Sequence, residues 1–137
     1  MRGPYLLDTC ACHWLVDDTL TKDAATALTD AYNAGLSTYI SPITALEVAT
    51  LARKRRFRSP LTPRRWFESL MQLSGLAQAE MSAGLLIESQ SLPGDIHKDP
   101  YDRIIAATAR EYGYTVMTRD RALLDYGGQG YLSVMPC

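Results

Sequence analysis

Short apolar runs alternate along this chain with longer stretches in which apolar residues recur every three or four positions. The short runs at Pro4–Leu7, Ser37–Ile40, Tyr114–Thr118 and Tyr131–Met135 read as strands. Between them the 3.6-residue period predicts helices over about 10–17, 22–34, 42–56, 62–73, 78–90, 99–113 and 121–124. Punctuation agrees with several of these ends. Thr21 is a suitable N-cap and Gly35 a C-terminal stop; Ser41-Pro42, Thr62-Pro63 and Asp99-Pro100 each place proline at a first helical position, and Gly113 closes the late helix. The Ala-rich helix is broken before Pro93-Gly94. Trp66, Phe67, Leu70 and Met71 fall on one helical stripe. Strands alternating with helices argue for α/β architecture: a short, mostly parallel central sheet with helices on both faces, in one domain over residues 1–137.

Four acidic residues break this pattern. Asp8 follows the first strand and Asp120 the Tyr114–Thr118 strand, so both lie just past strand carboxyl ends, where ligands gather in parallel sheets. Glu47 shares a stripe with Ile43, Thr44, Thr50 and Leu51, and Asp102 one with Ile105, Ala106 and Ala109; Arg103, Ala107, Arg110 and Glu111 trace the opposite, outer face. Each acid has a local alternative. Asp99 is a good N-cap, Asp102 sits at N3 where the helix dipole favours a carboxylate, Asp8 suits a turn, and Asp120 can cap the helix after it. Brought together, they are costly: two unit charges about 4 Å apart repel by roughly 4 kcal/mol at an effective dielectric of about 20. Divalent cations are the natural compensation, and hard oxygen donors favour Mg²⁺ or Mn²⁺.

Composition narrows the class. A chain of 137 residues with 47% hydrophobic and 21% charged content is globular, not fibrous or disordered. The net charge of -1 conceals polarity, because Arg53, Lys54, Arg55, Arg56, Arg58, Arg64 and Arg65 hold half of the fourteen basic residues in one segment. Such a patch attracts a polyanion whatever the net charge. No apolar run approaches 18 residues and there is no leader-like segment, so a cytoplasmic protein away from membranes is expected. Cys10, Cys12 and Cys137 have no disulfide-scaffold spacing; Cys10, Cys12 and His13 crowd more tightly than zinc ligands do, and His97 has no sequence partner.

Four stretches carry a resemblance: Leu6-Leu7-Asp8-Thr9; Ser41 to Ala49 around Glu47; Leu92-Pro93 through His97-Lys98-Asp99-Pro100-Tyr101-Asp102-Arg103 to Ala107; and Val116 to Asp120. In this order and spacing, over essentially the whole chain, they resemble the PIN-domain ribonucleases and, within them, the VapC-type toxins of bacterial toxin–antitoxin pairs. The resemblance implies a metal-binding quartet of Asp8, Glu47, Asp102 and Asp120, with Asp99 as an extra acid and with Thr9 and Thr118 supporting through their hydroxyls. It implies a metal-dependent endoribonuclease acting on single-stranded RNA with one or two Mg²⁺ or Mn²⁺ ions, and a small cognate antitoxin as partner. A homodimer is expected from the apolar content of the helices at 22–55 and 62–73.

The basic segment has two functional readings and one structural one. Arg53, Arg55, Arg56 and Arg58 suit either the RNA backbone or an acidic antitoxin segment, the latter beside an apolar groove at Trp14 or Trp66; otherwise they are a solvated helix end. The alternative activities are a metal-dependent DNase and a non-catalytic nucleic-acid-binding or regulatory module. The intact quartet argues against the second. An aspartyl-phosphate receiver is disfavoured, since the late strands are followed by no suitable lysine.

Overall fold

A computed structural model describes residues 3–137. Five strands form one sheet: β1 (Tyr5–Leu7), β2 (Thr38–Ile40), β3 (Leu76–Gln78), β4 (Thr115–Thr118) and β5 (Ser133–Pro136). All pair in parallel, in the order β3-β2-β1-β4-β5. Seven helices connect and cover them: α1 (Thr9–Val16), α2 (Lys22–Asn33), α3 (Ile43–Arg53), α4 (Pro63–Met71), α5 (Ala83–Glu88), α6 (Pro100–Tyr112) and α7 (Arg121–Gly128).

Both faces of the sheet are buried, which is why the strands read as continuous apolar runs and not as alternation. Leu7, Ile40 and Met117 face a core completed by Ala11, Val48, Trp66 and Leu70. Leu6 and Val116 face the other, built with Ile43, Ile105, Ala106, Leu123 and Tyr126. Leu6 and Leu7 are both fully buried although adjacent side chains point to opposite faces. Strand order runs outward in both directions from β1, through β2 on one side and β4 on the other, so the β1–β4 junction is the topological switch. Asp8 and Asp120 follow those two strands.

The chain departs from the sequence pattern in four places. The expected helix over 78–90 is instead edge strand β3 followed by the six-residue α5, capped by Ser82, which accepts from the Leu85 amide at 3.1 Å. Ala77, Ala79 and Ala83 imitate helix composition, but Gly75 turns the chain at φ 83° and β3 pairs with β2. Helix α3 stops at Arg53, short of Arg56. Helix α7 runs on through Gly127, past Leu124, despite two glycines that favour termination. Packing overrides propensity there: a Cβ on Gly127 would lie 2.3 Å from Val134 Cγ2 on β5, and Tyr126 is buried with its hydroxyl donating to the Pro93 carbonyl.

The fourth departure concerns α6. Ala107 is buried and Arg103 is half-buried, so neither lies on an outer face. The Arg103 guanidinium donates to the carbonyls of Ser89 (2.9 Å), Ile96 (3.2 Å), His97 (3.3 Å) and Gln90 (3.3 Å). It ties the irregular segment between α5 and α6 to the helix that carries Asp102. Hydrogen bonds from a charged donor contribute about 1.5–3 kcal/mol each when buried, less when exposed. Replacing Arg103 with methionine keeps most of the apolar stem and removes all four. Expected is a loss of about 2–4 kcal/mol in urea unfolding, with faster amide exchange at residues 89–97; unchanged exchange would refute this anchoring.

Candidate active site

Four elements deliver the acids. Asp8 ends β1 and caps α1, its Oδ1 accepting from the Ala11 amide at 2.8 Å. Asp120 follows β4 and caps α7, its Oδ2 accepting from Leu123 at 2.9 Å. Asp99 caps α6, accepting from the Tyr101 amide at 2.9 Å, and Asp102 projects from the first turn of that helix. Glu47 lies one turn into α3, between buried Thr44 and Val48. The capping alternatives raised for Asp99 and Asp120 are therefore real, Asp8 caps a helix where a turn was the alternative, and these local roles coexist with proximity to the other acids. Capping uses one oxygen of each carboxylate, and the helix starts aim all of them at the sheet's carboxyl edge.

Electrostatics shows the convergence. Burial raises the Asp8 pKa, partly offset by hydrogen bonds from Thr118 and Ala11, with Asp120 adding repulsion. Burial also raises Glu47, opposed by the Thr9 hydrogen bond and reinforced by Asp99 and Asp8. Asp102 is pushed up to about 8, first by burial and then by the charges of Asp99, Asp120, Asp8 and Glu47. Asp102 and Asp120 thus bring oxygens within reach of a single ion, and Asp8, Glu47 and Asp99 lie within electrostatic reach of them; among the described residues no lysine or arginine forms an ion pair with any of the five. The negative charge is left for a cation.

Two threonines order the acids. Thr118, fully buried, donates to Asp8 Oδ2 at 2.5 Å and accepts from the Asp120 amide at 2.9 Å, so one hydroxyl links both switch-point acids. Thr9 Oγ1 donates to Glu47 Oε1 at 2.7 Å and lies 3.2 Å from the Thr44 hydroxyl. Thr50 meets the Tyr101 hydroxyl at 3.1 Å, holding α3 against α6 beside the pocket.

One residue at the site has no signal of its own in the sequence. His97 Nε2 lies 3.0 Å from Asp102 Oδ2 and 3.8 Å from Asp120 Oδ2. A lone loop histidine carries no periodicity; only its place five residues before Asp102 marked it. The cysteines are free and join no such group among the described residues. Cys10 does adjoin the pocket: burial and then the charges of Asp8, Glu47, Asp102 and Asp120 push its thiol up to about 11.

Beside the acids lies a cleft lined by Cys10, His13, Trp14, Asp17, Leu51, Arg56, Phe57 and Arg58. Arg53, Arg55, Arg56 and Arg58 are all exposed. Trp66 is 4% exposed and stacks on His13 at 4.5 Å, so it belongs to the core and lines no groove. The Arg119 guanidinium sits 3.7 Å over the Trp14 ring and donates to the Thr19 and Cys137 carbonyls.

A parallel sheet in this order, with carboxylates gathered at its switch point, defines a class, and the chain belongs to it: the PIN domain family matches residues 5–129. More particularly, the chain is similar to Ribonuclease VapC22 of Mycobacterium tuberculosis, with 29% identity over 84 residues, covering 61% of this chain and 63% of that relative's length. In three dimensions it resembles a chain of VapBC2 from Rickettsia felis, a complex bound to a promoter DNA fragment, with a TM-score of 0.69 at 17% identity, covering 96% of this chain and 97% of that one. A chain of FitAcB from Neisseria gonorrhoeae follows with a TM-score of 0.56 at 20% identity, covering 96% of each. At such identities these superpositions show a common fold.

Proposed function

We propose that this protein is a metal-dependent endoribonuclease that cleaves single-stranded RNA and serves as the toxin of a toxin–antitoxin pair. The observation that carries the proposal is that Asp8, Glu47, Asp102 and Asp120, with Asp99 beside them, lie within electrostatic reach of one another, while among the described residues no lysine or arginine pairs with them. The donor set fits an ion: carboxylate oxygens predominate, and a shielded imidazole nitrogen without a hydrogen bond lies among them. When bound, a divalent ion supplies Lewis acidity, activating the attacking water and neutralising charge that develops on the phosphate.

The chain's own residues do the rest. Asp8 is held at both oxygens, by Ala11 and by Thr118, and this orientation supports its role as the central ligand of the proposed site. Asp102 and Asp120 flank it from α6 and the β4 end, with Asp99 near enough to raise Asp102. Glu47, oriented by Thr9, or Asp120 would accept a proton from the attacking water. The exposed arginines after α3 and the cleft of His13, Trp14 and Phe57 offer phosphate contacts and stacking surfaces for an unpaired strand.

The likeness to a chain of VapBC2 supports a small antitoxin as this chain's partner. Exposed Val16, Tyr32, Leu46, Leu61 and Leu73 leave apolar area for that partner and for a second copy in a homodimer. No helix among the described residues is long and apolar enough to cross a membrane, in keeping with a toxin acting in the cytoplasm. The test is cleavage of an unstructured RNA oligonucleotide with Mn²⁺ or Mg²⁺, with and without EDTA, beside DNA of the same sequence. RNA cleavage that EDTA abolishes supports the proposal; cleavage of DNA alone makes the chain a DNase.

A further inference from the structure

We infer that His97 is itself a ligand of the proposed ion, making the centre a mixed nitrogen–oxygen site that selects Mn²⁺ or a later first-row ion over Mg²⁺. This rests on the metal-dependent reading above and deepens it.

Among the described residues, a single group of three metal-capable side chains brings one donor atom from each within 4.8 Å of the others, and it consists of His97, Asp102 and Asp120. The His97 Nε2 atom is shielded from solvent and engages in no hydrogen bond, although its ring is about one third exposed. At 3.0 Å from Asp102 Oδ2 it is close enough for an ion pair, yet the ring nitrogen lacks the alignment of a donor to that oxygen. Adjacent ligands around an octahedral ion with bonds of about 2.1 Å are about 3.0 Å apart, so the spacing suits two ligands on one edge of such a shell.

The surrounding chain fixes this nitrogen in place. Arg103 holds the carbonyls of Ile96 and His97 from α6, the helix that also carries Asp102. Ile96 is buried in the core beneath β1 and β4. Histidine and carboxylate are therefore two arms of one rigid unit, positioned before any ion arrives, as precise metal sites require. Mg²⁺ takes oxygen ligands almost exclusively, whereas imidazole suits the later first-row ions, and its addition shifts an acidic site toward them.

The experiment uses the untagged full chain and its His97→Gln variant, with Mn²⁺ and Mg²⁺ binding measured by calorimetry and nitrogen ligation by electron spin-echo modulation of the Mn²⁺-loaded protein. The parent is expected to show modulation from a directly bound imidazole nitrogen. His97→Gln abolishes it, weakens Mn²⁺ binding by about tenfold or more and weakens Mg²⁺ by less than about threefold. The chain has only two histidines, so loss of the signal in this variant assigns it. If the parent binds Mn²⁺ without nitrogen modulation, or His97→Gln leaves modulation and affinity unchanged, His97 merely neighbours Asp102 and the inference fails while the metal site stands. If the parent binds neither ion, the metal-dependent reading fails with it.

Discussion

Asp8→Asn protein is expected to fold, to melt at or above the parent's temperature in EDTA, and to lose about a hundredfold or more of its Mn²⁺-dependent RNA cleavage. The three parts of this result have one cause. Asparagine caps helices as well as aspartate does, so its Oδ1 keeps the bond to the Ala11 amide that starts α1. Its amide group can donate to Thr118 Oγ1 where Asp8 now accepts, so the buried hydroxyl keeps a partner. What disappears is the charge. In the metal-free fold that charge is unfavourable, since burial and Asp120 both raise the Asp8 pKa. Removing it relieves strain in the empty pocket and at the same time removes the ligand at its centre. Stability and activity therefore move in opposite directions, as they do where a site is built at the expense of the fold. Equal cleavage by well-folded Asp8→Asn would remove the mechanism; a large fall in melting temperature would show that Asp8 serves chiefly as a cap.

The second large effect is on stability against pH. Metal-free protein should melt about 2–5 °C lower at pH 8 than at pH 6.5, with saturating Mn²⁺ raising the melting temperature more at the higher pH. Asp102 sits near 8 in the fold against an ordinary value of 3.8. Between those values the folded chain holds a proton that the unfolded chain has released. Folding then takes up a proton, and its contribution, complete below the ordinary value, is lost as pH rises through about 8. Asp8 and Glu47 are shifted in the same direction and add to the slope at lower pH. His13 works the other way, because burial lowers its pKa from 6.5, and its opposing contribution fades as pH rises above that value and the unfolded ring also becomes neutral. The upper part of the window therefore reports chiefly on the carboxylates, and Asp102→Asn should flatten the profile there. Equal slopes in the parent and in Asp102→Asn would mean that Asp102 is not the group responsible.

Much of this architecture could be read from the chain, for physical reasons that differ by element. Helix starts at Thr21, Thr62 and Asp99 were legible because capping is local chemistry, and each of those side chains accepts from a backbone amide of its own first turn. The acids at the ends of β1 and β4 were legible because a carboxylate closing a buried strand is costly without a purpose. Strand β3 was not, since three residues at a sheet edge have no periodicity and their alanines favour helix. Nor was the length of α7, which depends on Gly127 lying under Val134, a contact set by topology. Arg103 was misplaced because its period fits an outer face, while the segment of residues 89–97 folds back over it. His97 carries only its place five residues before Asp102 as a signal, and its approach to the acids depends on that same fold-back.

The central claim is that carboxylates distant in sequence form one cation-binding pocket, and a crystal of the untagged protein grown with Mn²⁺ tests it most directly through anomalous scattering. The account expects one or two strong peaks ringed by oxygens of Asp8, Glu47, Asp102 and Asp120. Density without such a peak at the β1–β4 switch, with each acid engaged only in the bonds of its own helix start, would contradict it.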